Sequence, residues 1–311
     1  MEAHVILITT AGNVGSEAAR LLVERHVPVR VLVRDSGKAK ALADAGAQIA
    51  VGDLEVPESI DEAMAGVSAV VLVSLAIPAQ ELNVVASAAR AGVEHVVKAT
   101  NKASADSPIA RRRGQTEIEA GLAASGLPHT LLRSNAYMQN TLALAPVIAK
   151  TSSFGSSAGK GLVGMVDARD VGAVAAEIAA SPGGHSGKTY WLSGPELISN
   201  YDVAAVLSEL LGRTVTYREI SFDENKNAMI NAGVPEAIAE QNAQAFSLTA
   251  QGDAEWVSED VHSILGRPAS SYQRFATDYA SAFSKSRRSR KARDSSEDER
   301  GPKQQHDRPR R

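Results

Sequence analysis

Two glycines, Gly12 and Gly15, stand in "AGNVGSEAARLL", directly behind an apolar run at 5–8 and ahead of a pattern with helical spacing. Glycines so placed let a diphosphate approach the amides of a helix N-terminus, where the helix dipole favours an anion. That is the chemistry of dinucleotide binding. A full fingerprint carries one more glycine, three residues before Gly12, and this chain has Thr9 there. A β-branched residue does not readily take φ > 0. Either the turn adopts another conformation, or the phosphates sit less tightly. Two glycines alone are a weak signal. Their place in the first strand–helix step of an alternating chain gives them weight.

The end of the second apolar run chooses between nucleotides. An acid there would bond the ribose hydroxyls, whereas an arginine would receive a 2′-phosphate. Here Arg34 comes first and Lys38 adds a second cation. Arginine matches phosphate geometry, so NADP(H) is expected in preference to NAD(H). The plainer alternative is a surface pair between Arg34 and Asp35. Asp53, after the third strand, could meet the adenine amino group or simply form a turn. Lys98 closes an apolar strand. It could bond the nicotinamide ribose or a substrate oxygen, or snorkel to solvent. "RSNAYMQN" brings Asn135, Tyr137, Met138 and Asn140 to one strand end. Tyr137 and Met138 could wall a flat acceptor, or pack in the core.

Several chemistries are excluded. The tyrosines stand at 137, 190, 201, 217, 272 and 279, and none has a lysine four residues on. No G-x-S-x-G elbow, P-loop or H-E-x-x-H pair is present. The seven histidines show no metal spacing, and no metal is expected. Cysteine is absent, which removes disulfides and thiolate nucleophiles. What remains is a reaction needing little proton management: hydride transfer to an electron-poor acceptor, with the cofactor carrying the chemistry.

Elements must deliver these residues to one place. Strands are expected at 5–8, 29–33, 69–74, 95–100 and 129–134, with another in "AQIAVGDL". Helices are expected at 14–25, 38–45, 60–65, 78–91 and 109–125. The alternation predicts an α/β fold, a Rossmann-type doubly wound parallel sheet. Ligands then sit at the carboxyl ends of the strands, near 9–15, 34–38, 52–54, 74–78, 98–102 and 134–140. After residue 140 the rhythm breaks. A Gly/Ser-rich loop is expected at 149–161, a helix at 167–181, a strand at 188–192, and a helix from about 200 opened by Ser199 and Asp202. Residues 1–150 are read as the dinucleotide-binding domain. Residues 151–283 are read as a smaller C-terminal α/β lid on the substrate side, interleaved with the sheet.

Residues 284–311 read as a disordered charged tail. From Lys285 onward the chain has 11 Lys+Arg and 5 Asp+Glu, which leaves 22 against 31 for the body. The tail has no aliphatic residue larger than alanine, too little to bury and order it. Its mixed signs and lack of aromatic residues make nucleic acid an unlikely partner. A protein partner engaged by the tail, or a homodimer, stays open. No apolar run reaches the ~18 residues of a membrane span, and no leader is seen. A cytoplasmic protein acting on a small molecule is the expectation.

Taken together, "AGNVGSEAARLL", "VRVLVRD", "VGDLEVPESIDEAMAGV", "HVVKAT", "IEAGLAASGLPHTLLRSNAYMQN", "VDARDVGAVAAEIA", "GKTYWLSGPELIS" and "LGRPASSYQRFA" resemble the NmrA-like family of atypical short-chain dehydrogenases, over about residues 4–280. The resemblance implies an NAD(P)H-dependent reductase of quinone-like, azo or related acceptors. It also admits a non-catalytic redox sensor that only binds the nucleotide, or a reductase dedicated to one metabolite. It implies cofactor contacts at Thr10, Gly12, Asn13, Val14, Gly15, Arg34, Lys38, Asp53, Leu54, Ser74 and Lys98, and an acceptor near Tyr137 and Asn140. Two positions depart from the family pattern. Thr9 replaces a glycine, and Arg113 stands where many members carry a histidine. Glu117 and Glu119 read most simply as a solvated helix face.

Overall fold

The computed structural model describes residues 4–284, so the charged tail beyond Ser284 lies outside the described residues. Seven parallel strands form the main sheet in the order β3-β2-β1-β4-β5-β6-β8. They are β1 (Val5–Ile8), β2 (Val29–Val33), β3 (Gln48–Val51), β4 (Val67–Leu72), β5 (His95–Thr100), β6 (His129–Ser134) and, from later in the chain, β8 (Thr189–Leu192). Between β6 and β8 lies β7 (Ser153–Ser156), which pairs in parallel with β9 (Thr216–Glu219) as a separate two-stranded sheet. The Gly/Ser-rich stretch around 149–161 is therefore not all loop. Four residues without β-branching carry little strand signal, and they gain it from a partner some sixty positions away.

The helices are α1 (Asn13–Glu24), α2 (Lys40–Ala45), α3 (Pro57–Ala63), α4 (Pro78–Ala91), α5 (Ala110–Ala124), α6 (Ala145–Thr151), α7 (Ala168–Ala180), α8 (Asn200–Leu211), α9 (Phe222–Asn231) and α10 (Glu236–Thr249), then α11 (Asp260–Leu265), α12 (Tyr272–Asp278) and α13 (Ala280–Phe283). The sheet residues alternate between two apolar layers. Ile6, Ile8, Val31, Val71 and Val97 face α1 and α7, whereas Leu7, Leu32, Val70, Leu72 and Val96 face α3, α4 and α5. Covering both faces explains why these strands are continuous apolar runs. A third cluster, around Phe154, Leu207, Tyr217, Tyr272 and Phe275, joins α6, α8 and α12 to the small sheet.

Sheet order decides where a ligand can lie. The chain leaves β1 toward β2 on one side and returns to β4 on the other, so the crevice beyond β1 is the topological switch point. Helix α1 starts there. Its position is set by α7, which packs against it through Gly172. A Cβ at Gly172 would lie 2.8 Å from the Val14 carbonyl oxygen and 2.9 Å from the Glu17 Cβ.

Placing a valine at 172 therefore forces α1 and α7 apart. Any gain over glycine in helix propensity is below about 1 kcal/mol, whereas overpacking costs roughly 1–3 kcal/mol. We expect Gly172→Val to lower the urea midpoint by a net destabilisation of about 1–2 kcal/mol.

Candidate functional site

The carboxyl edge is built from strand ends. At Thr9 the chain takes a turn other than the one a glycine fingerprint needs. Thr9 is not among the residues with positive φ. Its buried hydroxyl donates to the Val73 carbonyl at 2.7 Å and accepts from the Val73 amide at 2.9 Å. Its own amide donates to Val71 at 3.2 Å. Thr9 thus extends the β1–β4 ladder past the strand end with a side chain in place of backbone. Thr10 adds a bond from its hydroxyl to the Val73 carbonyl at 3.1 Å.

The two glycines of the loop do different jobs. A Cβ on Gly15 would collide with the Thr10 carbonyl oxygen and crowd Ile8, so Gly15 lets the helix pack against the loop. A Cβ on Gly12 would meet nothing closer than the Thr10 hydroxyl at 3.9 Å, and its backbone is extended with φ −78°. The fold itself does not require glycine at 12. A side chain there would only obstruct the space in front of α1. That helix has no side-chain cap and no acid in its first turn, so its opening amides and the positive end of its dipole face outward. A cleft of about 540 Å³ opens beside this loop, between α1 and α2. It includes Gly12, Asn13 and Ser16 and reaches Gln139, Arg169 and Tyr279, but neither Arg34 nor Tyr137.

Arg34 and Lys38 are exposed at the end of β2, and neither forms an ion pair among the described residues. The Arg34–Asp35 pair is absent. Asp35 instead accepts from the Gly37 amide at 2.9 Å and caps the turn that presents Lys38. Asp53 accepts from the Glu55 amide at 3.0 Å, a turn-forming role, and Leu54 beside it is buried.

At β4 and β5 the edge is charged but closed. Lys98 is 0% exposed and does not snorkel. Its Nζ lies 2.7 Å from Glu81 Oε2 and donates to Oε1 at 3.0 Å and to the Ala99 carbonyl at 2.7 Å. Burial pulls this ammonium below its ordinary value, and Glu81 opposes the shift. The Ser74 hydroxyl donates to Glu81 at 2.6 Å and accepts from the Ala76 amide at 3.1 Å. Ser74 and Lys98 are therefore joined through one carboxylate, which fixes the loop after β4 to the end of β5.

At β6, Tyr137 is partly buried. Burial pushes its phenol up, with the nearby Ser134 hydroxyl opposing. Met138 packs into the third core cluster and is no acceptor wall. Asn140 is exposed. Asn135 donates to the carbonyls of Ala254 and Trp256, at 3.0 and 3.3 Å. The same strap at 249–257 is pinned by Asp253, which pairs with Lys102 and Arg112 at 2.6 Å each. Burial would raise the Asp253 carboxyl, but these two cations outweigh it and hold it below the usual range. A Cβ at Gly161 or Gly164 would run into the strap's backbone.

Sequence reasoning missed Glu81 and Asp253, because each finds its partner only through the fold. Glu119 is not on a solvated face: it pairs with Arg133 at 2.5 Å and lies 3.4 Å from the Thr100 hydroxyl. Arg113, in place of histidine, donates to the carbonyls of Ser107 and Pro108 and holds the loop before α5. Among the described residues no cluster of side chains could hold a metal, and no helix is long and apolar enough to cross a membrane.

The model of the NmrA-like family matches residues 1–267. The chain belongs to the NmrA-like family. It is 35% identical over 283 residues to an NAD(P)H azoreductase of Xenophilus azovorans, covering 90% of this chain and 99% of the relative. Among solved structures it resembles an NADPH-dependent quinone oxidoreductase of Escherichia coli in complex with NADPH, at 28% identity and a TM-score of 0.80, over 88% of this chain and 99% of that one. It resembles equally a triphenylmethane reductase of Citrobacter sp. in complex with NADP(H), at 29% identity and 0.79, with the same coverage.

The role of Thr9 in this NmrA-like chain can be measured. Thr9→Val removes the hydroxyl and leaves the Val73 amide unpaired. The expected loss is about 1–3 kcal/mol in urea unfolding, while Thr9→Ser keeps most of the stability.

Proposed function

We propose that this protein is an NADPH-dependent reductase that passes a hydride directly to quinone-like or azo acceptors. The observation that carries the reading is the start of α1. An uncapped helix N-terminus at the switch point stands behind a glycine that the fold does not itself require. The relatives named azoreductase and quinone oxidoreductase support the acceptor class, since azo compounds and quinones are conjugated and electron-poor, and a triphenylmethane reductase stands beside them.

The residues fit the cofactor in outline. Thr10, Gly12, Asn13, Val14 and Gly15 would hold the diphosphate at the helix start. Arg34 and Lys38, cations without a protein partner among the described residues, would take the 2′-phosphate. Asp53 and Leu54 would border the adenine and Ser74 the nicotinamide end, with the fully buried Lys98 acting behind Ser74 through their shared partner Glu81. When bound, NADPH supplies the hydride. The chain's part is to bind, to orient and to exclude water. The Ser74–Glu81–Lys98 link holds the loop after β4 rigid. The strap pinned by Asp253 covers the far side of the edge. Tyr137 and Asn140 would flank the acceptor. The protein would act in the cytoplasm on a small molecule.

Calorimetric titration with NADPH and NADH tests the cofactor assignment. Arg34→Ala should weaken NADPH about 10- to 100-fold, the loss of a charge-assisted bond, and leave NADH within about twofold. Equal loss for both would refute the assignment. NADPH binding without turnover on any quinone or azo dye would instead make the protein a nucleotide sensor.

A further inference from the structure

Arg111 opens the sheet-facing stripe of α5. Gln115, Ile118 and Leu122 follow it at helical spacing, and all three are buried. Eight residues, about 12 Å of helix axis, separate Arg111 from Glu119, which lies 3.4 Å from the Thr100 hydroxyl at the end of β5. Arg111 therefore stands beyond the carboxyl edge of the sheet and keeps the direction of the stripe. There the strands no longer lie beneath it. Its guanidinium reaches over the crevice end of β5 and donates through Nη1 to Asn242 of α10 at 2.8 Å.

A guanidinium has five N–H donors, and the Asn242 bond is the one that Arg111 makes among the described residues. Nε and Nη2 have no partner, yet they are not sealed in the interior: both stay open to solvent on a partly buried residue. These two atoms share the edge that grips a carboxylate side-on, as the same edge of Arg169 grips Asp167 at 3.0 and 2.7 Å. No acid is left for Arg111. Asp253 is taken by Lys102 and Arg112, and Arg113 donates to the Ser107 and Pro108 carbonyls. Among the described residues, Asp253 is the only acid paired with any of these four cations. The first turn of α5 holds no acid either. Burial pulls the Arg111 guanidinium below its ordinary value, and Arg112 adds to the shift. A partly desolvated cation with a free fork, set in an excess of positive charge, is matched by an anion from outside the chain.

We propose that Arg111 is a specificity-determining residue of the acceptor site, whose free Nε–Nη2 edge binds an acidic group carried by the acceptor: a carboxylate, phosphate or sulfonate. The inference rests on the reductase reading above. Arg111 lies on the β5 side of the switch point, away from α1 and Arg34, where the cofactor phosphates belong. It therefore acts on the acceptor and not on NADPH. Acidic acceptors are favoured over their uncharged parents, because the parent leaves the fork without a partner.

The test is steady-state kinetics of the full chain with NADPH and four acceptors: menadione, and a naphthoquinone bearing a sulfonate, a carboxylate or a phosphate ester. Arg111→Gln should raise KM about tenfold for the acid that the fork binds, the order of one charge-assisted hydrogen bond. Menadione and NADPH affinity should each stay within about twofold. Arg111→Lys keeps the charge but loses the fork, and its KM should fall between. Added salt should raise the wild-type KM for that acid more than the KM of Arg111→Gln. Lost stability would weaken all acceptors alike, so a split between them reports recognition. A split on any one of the three acids supports the site. Equal losses on every acceptor, a loss confined to NADPH affinity, or no change on any acid would each overturn the site and leave the reductase reading standing. If the wild type oxidises NADPH with none of the quinones, the reductase reading fails, and the site with it.

Discussion

Helix α1 begins at Asn13 with no side chain accepting from its first amides and no acid in its opening turn. Its positive end is therefore compensated only from outside the fold. The sheet order brings that end to the crevice beyond β1, and α7 fixes it there through the close contact at Gly172. Thr9 holds the loop in front of it by bridging to the backbone of Val73. The rest of the carboxyl edge takes its meaning from this point. Arg34 and Lys38 lie on the β2 side of it, and the closed, charged surface of β4, β5 and β6 lies on the other.

That other side is rigid for electrostatic reasons. Lys98 and Glu81 are both fully buried, and each would be expensive alone in the interior. Together, with further bonds to Ser74 and the Ala99 carbonyl, they lock two strand ends. Arg133 is paired with Glu119 and stacked over Trp191 at 5.3 Å, and Trp191 meets Trp256 of the strap edge-on. Asp253 then ties the strap to Lys102 and Arg112. An edge so heavily committed has few free polar groups.

Much of the sheet was legible because local pattern and tertiary place agree. The runs at 5–8 and 95–100 are strands buried on both faces, 29–33 is nearly so, and 129–134 is a strand whose burial alternates. The strand expected at 69–74 runs two residues earlier, which leaves Val73 and Ser74 free to bond Thr9 and Glu81. The helix expected at 60–65 starts at Pro57, a residue well suited to the first turn. The ion pairs were not legible. Glu81 and Lys98 are seventeen positions apart on a helix and a strand, and nothing local marks either as buried. Met138 could not be assigned to wall or core either, since four residues past the end of β6 the strand alternation no longer dictates a face. Thr9 looked like an obstacle because the fingerprint was read as backbone geometry alone. Its hydroxyl supplies what the expected turn would have made unnecessary.

The most direct measurement is calorimetric binding of NADPH to the Gly12→Val variant beside wild type. A valine at 12 meets open space in the protein and keeps an extended backbone, so folding should be unaffected while the approach to the α1 amides is blocked. We expect an unchanged Tm without nucleotide and a loss of affinity of about 100-fold or more, given that a close diphosphate contact needs glycine there. Wild-type affinity in the variant, or no heat from the wild type itself, would contradict it.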